Sequence, residues 1–244
     1  MKRVMVILGT RPEGIKMAPV IKELKKYPEF FEVKVCSTGQ HREMLGQVLD
    51  FFGIVCDYTL DVMTPNQTLA DVTCKVLKGM EKLFLQWRPN VILVQGDTTT
   101  VLSAALAAFY HKIEVGHVEA GLRTGNIYSP WPEEMNRLLA SRMATVHFAP
   151  TEGSKKNLLR EAVAPEAIHV TGNTVIDALF EAIALMDANV AMCKQLDEKF
   201  DFIDPSKRLI LVTGHRRENF GDGFLQICQA VIQIASRNDV QVVY

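Results

Sequence analysis

Residues 91–110 read VILVQGDTTTVLSAALAAFY. The run 91–94 is short, apolar and unbroken, and it stops before Gly96, which is the pattern of a strand buried on both faces. Residues 98–110, rich in alanine, follow as a helix. Residues 114–118 then return to a strand pattern. A strand, a helix of this length and another strand make a crossover connection, and such connections join parallel strands.

The same alternation runs outward in both directions. Toward the N-terminus, residues 4–8 and 33–37 read as strands, and 14–26 and 42–52 as helices. Thr64-Pro65-Asn66-Gln67 has the chemistry of a helix start, with Thr as cap and Pro at the first position. Behind it, Leu69, Val72, Val76, Leu77, Met80, Leu83 and Phe84 recur at helical spacing. Toward the C-terminus, 146–149 and 168–170 read as strands, and 133–143, 152–161 and 173–186 as helices. The expected fold class is α/β, a Rossmann-like doubly wound parallel sheet with helices on both faces. Such sheets bind ligands at the carboxyl ends of their strands.

The pattern changes after residue 186. Residues 187–208 are more polar and carry the turn signal Asp204-Pro205-Ser206. A strand (209–213), a helix (220–235) and a strand (240–244) follow. Two parallel strands and one helix cannot close a core. The expectation is therefore a domain over 1–186, then a linker and the start of an incomplete second Rossmann-like domain over 187–244. The alternative is that the last strands complete the first sheet.

Composition excludes several classes. Of the 244 residues, 48% are apolar and 23% charged, which is not the balance of a disordered chain. Lys and Arg number 27 against 28 Asp and Glu, so no basic excess points to nucleic acid or an anionic membrane. The longest apolar stretch, around 101–110, is broken by Ser103 and falls short of the roughly 20 residues of a membrane span. The apolar run at 4–8 is too short for a signal-peptide core. Five widely spaced cysteines without a C-x-x-C fit reduced thiols in the cytoplasm. The histidines show no paired metal spacing.

Chemistry gathers at the expected strand ends. Residues 9–16, GTRPEGIK, lack the dinucleotide glycine fingerprint, but they offer a glycine turn at a helix N-terminus with Arg11 and Lys16. Backbone N–H groups, the helix dipole and two cations suit an anion, and a local Arg11–Glu13 pair with a solvated Lys16 is the alternative. Asp97, in GDTTT, is either an acid group at the end of a central strand or a helix N-cap. Glu119 stands at the next strand end, and its alternative is an ion pair with Arg123. Were Asp97 and Glu119 adjacent, one raised and one ordinary pKa would equip the cleft for acid and base work. Glu133 and Glu134 open a helix where they complement its dipole, with Glu133 spaced to pair with Arg137. His215, beside Arg216 and Arg217, suits a diphosphate or is part of a solvated basic loop.

These segments together resemble the non-hydrolysing UDP-N-acetylglucosamine 2-epimerase family. The matching pieces are GTRPEGIKMAP (9–19), QHREML (40–45), GDTTT (96–100), GHVEAGLRTG (116–125), YSPWPEEMNR (128–137), TGNTVID (171–177) and VTGHRREN (212–219). They occur in the family's order along the whole chain. The resemblance implies two Rossmann-like domains arranged as in the GT-B glycosyltransferases, with the active site in the cleft between them. It implies interconversion of UDP-GlcNAc and UDP-ManNAc by elimination and re-addition of UDP, with no nicotinamide and no metal. It implies a cytoplasmic homodimer that supplies ManNAc to bacterial envelope polysaccharide.

Carried over residue by residue, the resemblance implies catalytic roles for Asp97, Glu119, Glu133 and His215. It implies substrate binding by Arg11, Lys16 and Arg137. Gln40 and Glu43, in the QHREML segment, are candidates for a regulatory site. Two positions depart from the family. Gly14 replaces the usual Ala, and Asn66 stands where activator-binding members carry Arg. The Asn leaves activation by a second UDP-GlcNAc open. A hydrolysing epimerase releasing ManNAc and UDP, a GT-B glycosyltransferase and a non-catalytic dimerisation module are the competing readings. The GTRPE and GDTTT segments argue against the glycosyltransferase.

Overall fold

The apolar run at 91–94 lies in a central strand, β4 (Val91–Gln95), and the helix after it is α4 (Thr99–Tyr110). A computed structural model describes residues 1–213 and 222–244. Before β4 come β1 (Lys2–Leu8), α1 (Arg11–Lys25), β2 (Phe31–Ser37), α2 (Arg42–Phe51), β3 (Tyr58–Thr59) and α3 (Leu69–Gln86). After α4 come β5 (Glu114–Val118), α5 (Glu133–Met143), β6 (Val146–Ala149), α6 (Glu152–Arg160), β7 (Ile168–Val170) and α7 (Val175–Asp187). The chain divides into two compact units, Met1–Ile183 and Ala184–Tyr244.

In the first unit all seven strands form one sheet, in the order β3-β2-β1-β4-β5-β6-β7, and every pairing is parallel. The right-handed crossovers usual for parallel strands put α1 and α2, which pack together, on one face. They place α3, α4 and α5, each packed on the next, on the other. The core lies between β1, β4 and that second helix layer, where Met5, Ile7, Ile92 and Val94 meet Val76, Met80, Phe84 and Val101. The small side chains Ala104, Ala105 and Ala108 let α4 approach the sheet closely.

Three local readings change. The helix expected at Thr64 starts instead at Leu69, capped by Thr68, whose hydroxyl accepts the Asp71 N–H at 3.2 Å. Gln67 folds back to accept the Thr64 N–H at 2.9 Å, and Asn66 has φ +57°, so residues 64–67 form a turn that helical backbone cannot follow. The short edge strand β3 lacks the length that would mark it in sequence. The polar stretch after 186 contains a helix, α8 (Val190–Lys199), capped by Asn189 accepting from the Met192 N–H.

The second unit adds β8 (Arg208–Leu211), α9 (Asp222–Ala235) and β9 (Val240–Val243). β8 and β9 pair in parallel as a sheet of their own. They do not complete the first sheet. No helix among the described residues is long and apolar enough to cross a membrane.

Candidate active site

The chain leaves β1 toward β2 and returns to β4 on the other side of β1. The loops after β1 and β4 therefore diverge, and the crevice between them is where open α/β sheets take ligands. The β1–α1 turn passes through Gly9. A Cβ there would lie 2.3 Å from Thr100 Oγ1 and 2.9 Å from Thr38 Oγ1, so the close approach of the loop to α4 requires glycine. Glu13, in the first turn of α1, is buried. It accepts the N–H groups of Gly9 and of Thr10 (3.0 Å), and the Thr98 hydroxyl from the neighbouring loop (2.6 Å). Burial raises its pKa, and these hydrogen bonds work against that rise. Glu13 is thus engaged with backbone and Thr98, while Arg11 is exposed beside a 460 Å³ groove lined by Ile15, Met44, Val48, Val175 and Leu179.

Asp97 follows Gly96 at the end of β4. The N-cap of α4 is Thr98, which accepts the Val101 N–H, so the capping role does not fall to Asp97. Its carboxylate pairs with Arg137 of α5, and its carbonyl accepts the Asn136 side-chain amide at 2.9 Å. Arg137 also faces Glu134 at 3.5 Å. Burial raises the Asp97 pKa. Arg137 opposes the rise, and the charges of Glu133 and Glu119 add to it.

Glu119 ends β5 with φ +64°, a left-handed conformation that a long side chain rarely adopts. Lys16 reaches both its oxygens, at 2.6 and 2.9 Å, and Asn173 donates to it at 3.0 Å. Lys16 is therefore paired rather than solvated. Arg123 pairs instead with Glu161, at 2.7 and 2.8 Å, so the alternative reading of Glu119 as the partner of Arg123 does not hold. Glu133 is half-buried at the start of α5, and Arg137 pairs with Asp97 and Glu134 instead of Glu133. Glu134 is buried and accepts the N–H groups of Thr124 (2.9 Å) and Gly125 (3.1 Å), so it fastens the β5–α5 loop.

His117 lies fully buried on β5, two residues before Glu119. Its Nε2 donates to the Gly96 carbonyl at 2.7 Å, while the Gly96 N–H donates to Val118 at 3.0 Å. Gly96, the residue before Asp97, is held to β5 through both its N–H and its carbonyl. Burial pushes the His117 pKa down to about 4, so the ring is neutral at pH 7. Gln40 accepts the Thr100 hydroxyl at 2.9 Å, and Glu43 is exposed in the first turn of α2. His215 lies outside the described residues.

The structure thus brings Lys16 to Glu119 and Arg137 to Asp97 at the ends of adjacent strands. Sequence reasoning missed Glu13, His117, Asn136 and Asn173 as parts of this arrangement. For Glu13 a signal existed, since Thr10-x-x-Glu13 is a capping-box spacing. For Asn173, which follows β7, the one signal was its place in the TGNTVID segment, and no local spacing links it to Glu119. Among the described residues no group of three or more His, Cys, Asp or Glu side chains is placed to hold a metal ion.

A family model described as UDP-N-acetylglucosamine 2-epimerase matches residues 22–244. A UDP-N-acetylglucosamine 2-epimerase of Escherichia coli O157:H7 is 55% identical over 243 residues, covering 99% of this chain and 64% of that protein. The crystal structure of UDP-GlcNAc 2-epimerase from Neisseria meningitidis bound to UDP-GlcNAc superposes with a TM-score of 0.92 at 48% identity, over 98% of this chain and 64% of the other. The Methanocaldococcus jannaschii UDP-GlcNAc 2-epimerase in complex with UDP-GlcNAc and UDP gives 0.83 at 33% identity, again over 98% and 64%. The chain spans about 64% of the length of these relatives.

Proposed function

The chain belongs to the UDP-N-acetylglucosamine 2-epimerase family, an isomerase family with a GT-B-like fold, and from that premise we propose that the full-length protein interconverts UDP-GlcNAc and UDP-ManNAc by inverting C2 of the sugar. The observation that carries the reading is the pairing of two strand-end carboxylates with two cations at the reversal of strand order: Asp97 with Arg137 and Glu119 with Lys16.

The chemistry explains these residue types. Elimination breaks the C2–H and C1–O bonds. A carboxylate takes the C2 proton, and the electron pair forms a C1–C2 double bond as UDP departs. Re-addition returns UDP to C1 while an acid delivers a proton to the opposite face of C2. Carboxylates on the two faces exchange roles between forward and reverse passage. Asp97, Glu119 and Glu133 are the assigned acid–base groups. A buried carboxyl with raised pKa, as at Asp97, moves between the two states closer to neutral pH than an ordinary aspartate. Arg11, Lys16, Arg137 and His215 are assigned to the substrate and the departing diphosphate, whose charge they stabilise. The route is redox-neutral, so it calls for no nicotinamide, and the assigned groups work without a metal.

Residues 1–186 are read as the N-terminal domain, and 187–244 as the linker and the start of the C-terminal nucleotide-binding domain. The same reading places the enzyme in the cytoplasm as a homodimer serving envelope polysaccharide synthesis. Gln40 and Glu43 are read as a regulatory position.

The test is incubation of UDP-GlcNAc with this chain and with a version extended to the relatives' full length, with the sugar anomeric protons followed by NMR. Only the extended version should form UDP-ManNAc. Free ManNAc with UDP would move the assignment to the hydrolysing reaction. An unchanged substrate with both proteins folded would favour a binding or dimerisation role.

A further inference from the structure

Glu13 is more than a helix cap. In a capping box the third-position glutamate reaches back to the N-cap N–H from an exposed site. Glu13 makes that bond, to Thr10 at 3.0 Å, but it is only 2% exposed, and it also takes the Gly9 N–H and the Thr98 hydroxyl. Burying a carboxylate is unfavourable until its hydrogen bonds offset the loss of solvation. A cap needs neither the burial nor a bond to another loop.

Thr98 is itself the cap of α4, accepting the Val101 N–H at 3.3 Å. The first turn of α4, the Thr98 hydroxyl, the Glu13 carboxylate and the first turn of α1 therefore form one continuous chain. It spans the crevice between the loops after β1 and β4. On one side, a single turn beyond Glu13, α1 carries Lys16 and its partner Glu119. On the other, the residue before Thr98 is Asp97, paired with Arg137.

We propose that Glu13 is a positioning residue that, through Thr98, ties the α1 and α4 N-termini together and so fixes Lys16–Glu119 relative to Asp97–Arg137. This rests on the reading of the crevice as the epimerase active site. Four charged groups face Asp97: Arg137 and Glu133 from α5, Glu119 from the end of β5, and Glu13 from α1. If the tie loosens, water reaches Asp97, the burial that raises its pKa weakens, and its titration midpoint falls.

The experiment uses the full-length enzyme with Thr98→Val, Thr98→Ser, Glu13→Gln and Glu13→Ala. Thr98→Val keeps the side-chain shape and removes the bond between the loops. Its kcat should fall about tenfold, with KM for UDP-GlcNAc within about twofold of wild type. Thr98→Ser restores the hydroxyl and should recover most of the loss. Glu13→Gln can keep all three contacts, its oxygen accepting both N–H groups and its amide donating to Thr98, so it should retain more activity than Glu13→Ala. A Thr98→Val protein that melts with wild type and turns over at the wild-type rate would overturn the proposal. If wild type itself makes no UDP-ManNAc, the functional reading fails, and the tie is judged separately from the 13C titration of the Asp97 carboxyl. There a lowered midpoint in Thr98→Val supports it and an unmoved midpoint overturns it.

Discussion

The ends of β4 and β5 hold their carboxylates in opposite ways. At β4 the awkward backbone is delegated to Gly96, with φ +79°, so Asp97 keeps an ordinary conformation and a short side chain. Its position is then set by rigid partners: the planar Arg137 guanidinium, the Asn136 amide on its carbonyl, and His117 on the peptide before it. At β5 Glu119 itself takes the left-handed conformation, and its partner is a lysine on a flexible stem with Asn173 alongside. A guanidinium fork fixes direction as well as charge, whereas an ammonium supplies charge with freedom to move. The structure thus sets one carboxylate against a planar fork and the other against an ammonium on a flexible stem.

That contrast can be broken at several points. The largest effect is expected from Asp97→Asn in the full-length enzyme, a loss of about 10³-fold in kcat, or ~4 kcal/mol. Its melting temperature at pH 7 should be no lower than wild type. The sign follows from the raised folded pKa: the stability linked to this carboxyl is fully present below the ordinary aspartate pKa and is lost as pH rises through the raised value. A large loss of thermal stability would show that Asp97 serves structure first.

Next comes the His117 clamp. A folded pKa of about 4 against an ordinary 6.5 means stability that is present above pH 6.5 and lost as pH falls toward 4. The drop should be roughly 3 kcal/mol, read by urea unfolding across that range. His117→Gln should flatten this slope, and an unaltered slope would place the titration elsewhere.

Lys16→Met removes the cation that faces Glu119 and should lower kcat by about 10²-fold. An effect confined to KM would make Lys16 a binding group alone. The smallest effect is expected from Arg137→Lys, about tenfold in kcat, because one ammonium cannot reproduce the fork held against both Asp97 and Glu134. If Arg137→Lys is silent while Lys16→Arg is damaging, the assignment of rigid and mobile partners is reversed.

The sequence by itself determined the strands other than β3, because apolar runs such as 4–8 and 91–94 suit a sheet covered on both faces, and crossover lengths make it parallel. It also determined the family, because seven short motifs stand in register along the chain. Asp97, Glu119, Lys16 and Arg137 were legible as charged residues at strand ends and helix starts. Their partners were not. Local spacing favoured Glu119 with Arg123 and Glu133 with Arg137, since only neighbours along the chain are visible in sequence. The tertiary structure decided otherwise: the packed sheet places the end of β5 beside the second turn of α1, 103 residues away in the chain, so Lys16 takes Glu119 and leaves Arg123 to Glu161. The same holds for the start of α3, where the turn at 64–67 closes on its own side chains before a helix can begin. Pairing across a sheet depends on which strands lie side by side. A sequence states the residues that could pair, and only the packed sheet states which of them meet.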